Sequence, residues 1–335
     1  MQAQGLISLF PMETLSVMGI AEVLPRYFDL KARIRHAAAD VVAHAPAALI
    51  TIDSPDFCLR VARIVKAAQP GLRTIHYVAP SVWAWRPSRA AKMAEVIDHV
   101  LALLPFEPPL MTAAGMTCDF VGHPVVSEPL ATPAEQTAFG GPGPLILTLP
   151  GSRRGEVARL GPVIGQVLAQ VKATHPAARV ALPTVRGVVD QVRALTADWP
   201  IRPQIIEDVG QKRGAFAAAD AALAASGTVS LELAANGCPM VIAYRMNPLT
   251  MWLMRRAALV DTVTLVNLVS ETRHVPEFLG AECTADRIAP ALLALLTDGP
   301  ARQAQLAAMA VTMDRLGKLG DPPAVRAARS VLAHL

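Results

Sequence analysis

Two glycine turns in the second half of the chain and one aspartate in the first carry residue types suited to chemistry on a charged group. The first turn, Leu147-Thr-Leu-Pro-Gly-Ser-Arg-Arg-Gly-Glu156, ends an apolar run of strand length at Gly151, Ser152 and Arg153 and passes directly into an amphipathic helical pattern. The second, Ala224-Ala-Ser-Gly-Thr-Val-Ser-Leu-Glu232, does the same at Ser226, Gly227 and Thr228. At a helix entrance the first backbone N–H groups have no intrahelical partner, the peptide dipoles add to a positive end, and glycine lets an anion approach the backbone. Two such entrances suit a nucleoside diphosphate. Arg153 adds a guanidinium able to make paired bonds to phosphate or carboxylate oxygens; as a merely solvated residue it would oppose the helix dipole, whereas Arg154 reads as surface. Glu232, one helical turn past Thr228, can accept from both hydroxyls of a ribose, or serve simply as an acidic residue at a helix start. Asp53 ends another apolar run, where a carboxylate can act as a base. Its alternative is an Asx-turn residue before Pro55, with Asp56 as the helix cap.

These residues need a scaffold that presents strand ends side by side, and the hydrophobic periodicity supplies one. Apolar runs at 47–52, 74–78, 98–104 and 118–121 alternate with helical patterns at 58–68 and 89–97. Residues 129–144 shift to Pro, Gly, Thr and Ala, with prolines at 129, 133, 142 and 144, and read as a linker. The rhythm then restarts, with strands at 145–149, 179–182, 204–206, 221–224 and 240–244 and helices at 157–174, 188–197, 212–218 and 229–236. Closing helices at 285–296, 302–316 and 323–335 pack outside or cross back to the first domain. The expectation is an α/β chain of two doubly wound parallel-sheet domains facing a cleft, divided as 1–128, linker 129–144, 145–320 and a closing helix 321–335.

Composition narrows the class. The chain has 335 residues, 53% of them hydrophobic, enough for two cores and unlike a disordered or fibrous sequence. With 4% aromatic residues it has few stacking platforms for single-stranded nucleic acid, and a net charge of +4 suits phosphates or anionic lipid instead. Cys58, Cys118, Cys238 and Cys283 form no Cys-x-x-Cys pair, no His stands at zinc spacing, and no Asp-x-Asp pair is present, so neither metal nor cofactor is expected. No apolar stretch has spanning length and the start lacks a signal-peptide pattern, which predicts a cytoplasmic chain.

His76-Tyr-Val-Ala-Pro-Ser-Val-Trp-Ala-Trp-Arg86, Ile52-Asp-Ser-Pro-Asp-Phe57, Leu104-Pro-Phe-Glu107, Leu149-Pro-Gly-Ser-Arg153, Ala225-Ser-Gly-Thr228 and Val241-Ile-Ala-Tyr-Arg-Met246 resemble, in order and spacing, the lipid-A-disaccharide synthase family. The resemblance runs over nearly the whole chain, and the Pro-Ser-Val-Trp-Ala-Trp-Arg string is its most specific part. It implies a GT-B glycosyltransferase that joins UDP-2,3-diacylglucosamine to 2,3-diacylglucosamine 1-phosphate with inversion, releasing UDP and a β-1,6-linked disaccharide phosphate. It implies Asp53 as the base, and Gly151, Ser152, Arg153, Ser226, Gly227, Thr228 and Glu232 on the donor. Asn267, in Thr264-Leu-Val-Asn-Leu268, matches a family Pro-Asn-Leu position with Val in place of Pro and reads as a donor contact or a turn residue.

Ser81 and Trp83 are expected to touch the acceptor or an acyl chain. Trp83 and Trp85 would face the same way in an extended segment, with core packing of at least one as the alternative. His123 reads as a hinge histidine satisfied by backbone and His76 as structural. The family opens with a strand, a Ser-Gly-Asp turn, a helix and a second strand that this sequence does not show, so an incomplete first domain with a gap or an unpaired edge is expected. The dense apolar residues from Leu15 to Phe28, followed by Lys31, Arg33 and Arg35, read as a ridge for peripheral docking on the inner face of the inner membrane, or as a core helix. Other readings are a different UDP-sugar GT-B enzyme, such as a hexosamine epimerase or a peptidoglycan precursor transferase, and a UDP-binding remnant without transferase activity.

Overall fold

Each apolar run expected to be a strand forms one, because a run with no polar alternation has both faces to bury and so belongs in a parallel sheet covered on both sides. The computed structural model describes Gly5, residues 7–11 and residues 27–335. The chain divides into two compact units, Met1–Val121 with Ala324–Leu335, and Gly122–Pro323.

The first unit is built on a sheet of order β1-β2-β3-β4, comprising β1 (Ala48–Ile52), β2 (Arg73–Tyr77), β3 (His99–Ala102) and β4 (Thr117–Phe120), all parallel. On one face Leu49 and Val100 pack with Ile34 and Ala38 of helix Tyr27–His44, Val61 and Val65 of helix Pro55–Ala68, and Met93 of helix Ser88–Ala94. On the other face Ile75, Leu101 and Val121 receive Ala327 and Val331 of the last helix, Pro323–Ala333. That helix is fastened by polar bonds as well. The Ser330 hydroxyl donates to Asp119 Oδ2 at 2.6 Å and lies 2.8 Å from His99 Nε2, the His99 and His334 rings stack at 3.7 Å, and Arg73 Nε donates to the His334 carbonyl.

Strand β1 pairs only with β2 among the described residues, and Ile50 and Ile52, on the face that carries Ile75, remain 47% and 43% exposed. Among the described residues β1 is thus an edge strand of this sheet. The apolar ridge expected at 15–28 lies, up to residue 26, outside the described residues; Tyr27 and Phe28 open their helix with exposed rings.

The second unit has a sheet of order β10-β9-β8-β5-β6-β7, again all parallel, from β5 (Leu145–Leu149), β6 (Arg179–Pro183), β7 (Gln204–Ile206), β8 (Ala221–Ala224), β9 (Met240–Tyr244) and β10 (Glu277–Leu279). The chain builds β5, β6 and β7 outward in one direction, then crosses to the other side of β5 to lay down β8. Ile146 and Leu223 pack under helices Arg154–Thr174 and Ala285–Ala294, while Leu147 and Ala222, alternating with them, are equally buried on the opposite face. The three residues of β10 were not foreseen, since so short a half-buried run has no periodicity to read.

Residues 129–144 do not behave as a free linker. The unit boundary falls at Gly122, and Thr132 and Glu135 form a capping box that starts helix Pro133–Thr137. Pro133 at its first turn is compatible with the helix, so a proline-rich composition concealed an ordered element. That helix packs on helix Val209–Ala218 through the Arg213–Glu135 ion pair at 2.6 Å, and Gly214 lets the Glu135 carbonyl come so near that an added Cβ would stand 2.3 Å from it. Gly214→Ala is therefore expected to destabilise the second unit by about 1–3 kcal/mol, read as a lower urea midpoint of the whole chain; an unchanged midpoint would contradict the close approach.

Candidate active site

The switch in strand order places β5 beside β8, with Leu149 level with Ala224, so the two glycine turns that leave these strands emerge next to each other. The carboxyl ends of parallel strands at such a point form a crevice. Here it is a cavity of about 510 Å³ within the second unit, lined by Gly151, Ser152 and Arg153 from the first turn, Ser226, Gly227 and Thr228 from the second, and Thr184, Lys212 and Glu232 from flanking elements. Seven residues expected on the donor thus meet in one place.

The first turn differs from the expected open cradle. Glu156 Oε2 accepts from the backbone amides of Ser152 at 3.2 Å and Arg153 at 3.4 Å, and Oε1 accepts from the Arg153 guanidinium at 2.9 Å. The helix Arg154–Thr174 is thereby capped by its own carboxylate. Gly151, at φ +107°, is required for this: a Cβ there would stand 2.4 Å from Glu156 Oε2. What the turn offers to the cavity is the Arg153 side chain, with Arg154 exposed beside it. The Arg-x-x-Glu spacing of a capping box was legible in the sequence, although an arginine at the cap position hid it.

The second turn is bonded differently. Backbone bonding within it begins only at Ser230, whose amide donates to the Gly227 carbonyl, while the Ser226 hydroxyl donates to the Val263 carbonyl at 3.3 Å. Glu232 receives Lys212 Nζ at 2.5 Å. Lys212 escaped the sequence reading. Its signal was Asp208, which caps helix Val209–Ala218 after β7 and so brings the first turns of that helix to the same sheet edge. Lys212 and Glu232 also border an adjoining cavity of about 320 Å³ with Val125, Leu130 and Phe216.

Asn267 does not line the cavity. It is 1% exposed, its Nδ2 donates to the Val275 carbonyl at 2.9 Å, and its Oδ1 accepts from the Val275 amide at 3.0 Å. Glu277 gathers the amides of Val263 and Thr264 in the same loop, so Asn267 supports the segment whose carbonyl receives Ser226.

In the first unit Asp53 stands exposed at the carboxyl end of β1, with φ +49°, followed by Ser54 at φ +44°. Two consecutive left-handed residues other than glycine cost on the order of 1–3 kcal/mol each and mark a place where backbone geometry is held by its surroundings. The Asp53 amide donates to the Tyr77 carbonyl at 2.9 Å, tying the turn to β2. The helix cap is Ser54, one residue before Pro55, and Asp56 sits in the first turn 3.7 Å from Arg89, where the sequence reading had made Asp56 the cap.

Below, the buried His76 ring bonds Thr51 Oγ1 through Nδ1 at 2.7 Å, and burial pushes its pKa down to about 4 against the opposing pull of the Asp53 charge. Residues 81–85 form a turn in which the Ala84 and Trp85 amides donate to the Ser81 carbonyl. Trp83 and Trp85 therefore do not face the same way, since two residues along a helical turn are rotated by about 200°. Trp83 points its N–H to Glu107, Trp85 lies under Arg86 at 4.3 Å, and Ser81 is exposed. His123 accepts from the Val125 amide through Nδ1, as a backbone-satisfied histidine should. Among the described residues His99, Asp119 and His334 alone stand close enough to share a metal, within 4.8 Å, and they lie at the last helix, bonded to hydroxyls and stacked.

The two parallel α/β sheets form a GT-B-like fold. It resembles a UDP-GlcNAc 2-epimerase from Neisseria meningitidis bound to UDP-GlcNAc, with a TM-score of 0.65 at 12% identity over 91% of this chain and 81% of that one. It also resembles Acinetobacter baumannii MurG, with a TM-score of 0.53 at 16% identity over 95% and 83%. At such identities the likeness is one of fold. Residues 1–319 match the lipid-A-disaccharide synthetase family. Lipid-A-disaccharide synthase of Ruegeria pomeroyi is 59% identical over 100% of this chain and 86% of that protein, and that of Rhodospirillum centenum 46% identical over 99% and 84%. The chain belongs to the lipid-A-disaccharide synthetase family of glycosyltransferases.

A base whose pKa is depressed on folding contributes stability that is complete above its unfolded value, near 6.5, and is lost as pH falls towards about 4, because the unfolded chain then binds the proton and the folded one does not. Lowering the pH from 7.5 to 5 is expected to cost the first unit on the order of 2 kcal/mol through His76, read by urea unfolding, with a further loss through His99, which burial also pushes down to about 4, so His76→Gln should lessen the pH dependence by about that amount without abolishing it. Equal pH dependence in both proteins would remove His76 as a source of it.

Proposed function

We propose that the cavity between the β5 and β8 turns holds the UDP of a diacylglucosamine donor and that Asp53 takes the proton of the acceptor hydroxyl. The observation that carries this reading is the convergence of Arg153, Lys212 and the Ser226–Thr228 amides on one crevice at the strand-order switch, in a chain of this family. In the reaction the 6-hydroxyl oxygen of 2,3-diacylglucosamine 1-phosphate forms a bond to the anomeric carbon of UDP-2,3-diacylglucosamine, and the bond from that carbon to the β-phosphate oxygen breaks. The hydroxyl proton goes to the Asp53 carboxylate and the electron pair leaves with UDP, giving lipid A disaccharide 1-phosphate.

Charge develops on the diphosphate as it leaves, so cations and oriented amides at that oxygen lower the barrier. Arg153 and Lys212 serve there by exchanging their Glu156 and Glu232 partners for phosphate oxygens. Glu232, released from Lys212, accepts from the ribose hydroxyls. Ser81 and Trp83 are assigned to the acceptor side.

Arg153→Ala is expected to weaken UDP binding by about 1.5–3 kcal/mol, the worth of a charge-assisted hydrogen bond, whereas Asp53→Asn should abolish turnover with UDP affinity nearly intact, both read by titration calorimetry and a transfer assay. An Asp53→Asn protein with normal turnover would remove Asp53 as the base.

Both substrates carry acyl chains, and we assign their capture to peripheral docking on the inner-membrane surface. Supporting this, Phe28 is 81% exposed at the start of the helix that bears Lys31, Arg33 and Arg35, an apolar edge bordered by cations. Among the described residues no helix is long and apolar enough to cross a membrane. Replacing Val23 and Leu24 by Ser is expected to release the protein from sedimenting anionic vesicles; unaltered sedimentation would place these residues in a core.

A further inference from the structure

Among the described residues Glu107 is the single acidic side chain that is buried, at 3% exposure. It stands in the turn after β3, where the chain enters helix Pro108–Ala113. Its Oε2 accepts from the Leu103 and Leu104 amides at 3.1 and 2.9 Å, and its Oε1 accepts from the Trp83 indole N–H at 3.2 Å. Burial pushes its pKa up to about 7, against the three donors that favour the charged form. The titratable neighbour coupled to it, Cys118 on β4, has its thiol pushed up to about 12 by burial and stays neutral near pH 7. A carboxylate enclosed at this cost is explained by what it holds.

It holds the segment between β2 and helix Ser88–Ala94. That segment leaves β2 at Val78 with φ +82° and ends at Arg86 with φ +50°, two conformations that side-chain-bearing residues rarely adopt. Between those points Val82 is buried in the core, and the rotation of the turn about Val82 is set by Trp83, whose ring meets Phe106 edge to face at 5.4 Å while its N–H is fixed by Glu107. The same turn carries Ser81, which is exposed, and Trp85, which is half-buried under Arg86.

We propose that Glu107 is a positioning residue for acceptor recognition: by fixing the Trp83 indole it holds residues 81–86 in the shape that receives the acceptor sugar. This rests on the assignment of Ser81 and Trp83 to the acceptor side.

Glu107→Gln and Trp83→Phe break the same bond from opposite ends. The glutamine oxygen can keep the two backbone amides while its NH2 group meets the indole N–H donor to donor, and phenylalanine keeps the ring but loses the donor. With detergent-dispersed substrates Glu107→Gln is expected to raise the acceptor KM by about tenfold, the worth of one such bond, with kcat and UDP affinity within about twofold of the parent; Trp83→Phe, which touches the acceptor side itself, should raise that KM at least as much, and the double variant should be no worse than Trp83→Phe. Hydrogen exchange should quicken at the Ala84 and Trp85 amides in Glu107→Gln and stay unchanged in β2 and β3.

Unaltered acceptor KM, strictly additive effects, or a parallel loss of UDP affinity would overturn the positioning role. A parent protein without transfer activity would count against the proposed function alone, and exchange at residues 84–85 that is identical in parent and Glu107→Gln would then still overturn the role of Glu107.

Discussion

The pairing of β5 with β8 is the constraint on which the proposed donor site depends. Each strand ends in a small-residue turn, and each turn alone is an ordinary strand-to-helix connection. Their register, Leu149 against Ala224, sets the two turns side by side only because the chain reverses its direction of sheet growth after β7. The same reversal opens the crevice, since the helices that follow β5 and β8 depart on opposite faces of the sheet. The apolar continuity of β5 and β8, every residue buried, makes this pairing the centre of the second core and resists a register slip.

The charges in that crevice are mutually compensated before any ligand enters. Arg153 lies on Glu156 and Lys212 on Glu232, pairs that satisfy each cation while leaving it at a solvent-accessible wall. Partly exposed pairs of this kind are worth little in stability, so the proposed exchange of a carboxylate for a phosphate would cost little. Glu156 has a second role as the cap of a helix of 21 residues, which ties the position of Arg153 to a rigid element.

In the first unit the unusual backbone concentrates where strands end. Asp53 and Ser54 follow β1, Val78 follows β2, and all three have left-handed φ values without being glycine. Hydrogen bonds across the sheet hold them: the Asp53 amide to Tyr77, and the Val78 amide to Leu101. Glu107, after β3, then fastens the turn that Val78 begins. Three successive strand ends are thus coupled, and the exposed Asp53 carboxylate is presented from a backbone held by its neighbours.

Much of this was legible from local pattern. Apolar runs bounded by Gly, Pro and Ser marked nine of the strands, with β5, β8 and β9 at the residues expected because central parallel strands carry an unbroken signal, and the edge strand β7 at the residues expected as well. The turn residues Gly151 to Arg153 and Ser226 to Thr228, and Asp53 at the end of β1, were likewise read from residue type at strand ends. Other features were not local. Lys212 reaches the cavity, and Asn267 is withdrawn from it, through contacts between segments far apart in the chain.

Helix Pro133–Thr137, started by its own capping box, is seated against Gly214, and the Trp83 N–H is turned to the buried Glu107 carboxylate. Sequence by itself determined the elements and the chemistry available at their ends, since those follow from periodicity and residue type. The tertiary structure decided which of those groups share a site and which partners occupy them, since burial and pairing depend on segments that meet only after the sheets assemble.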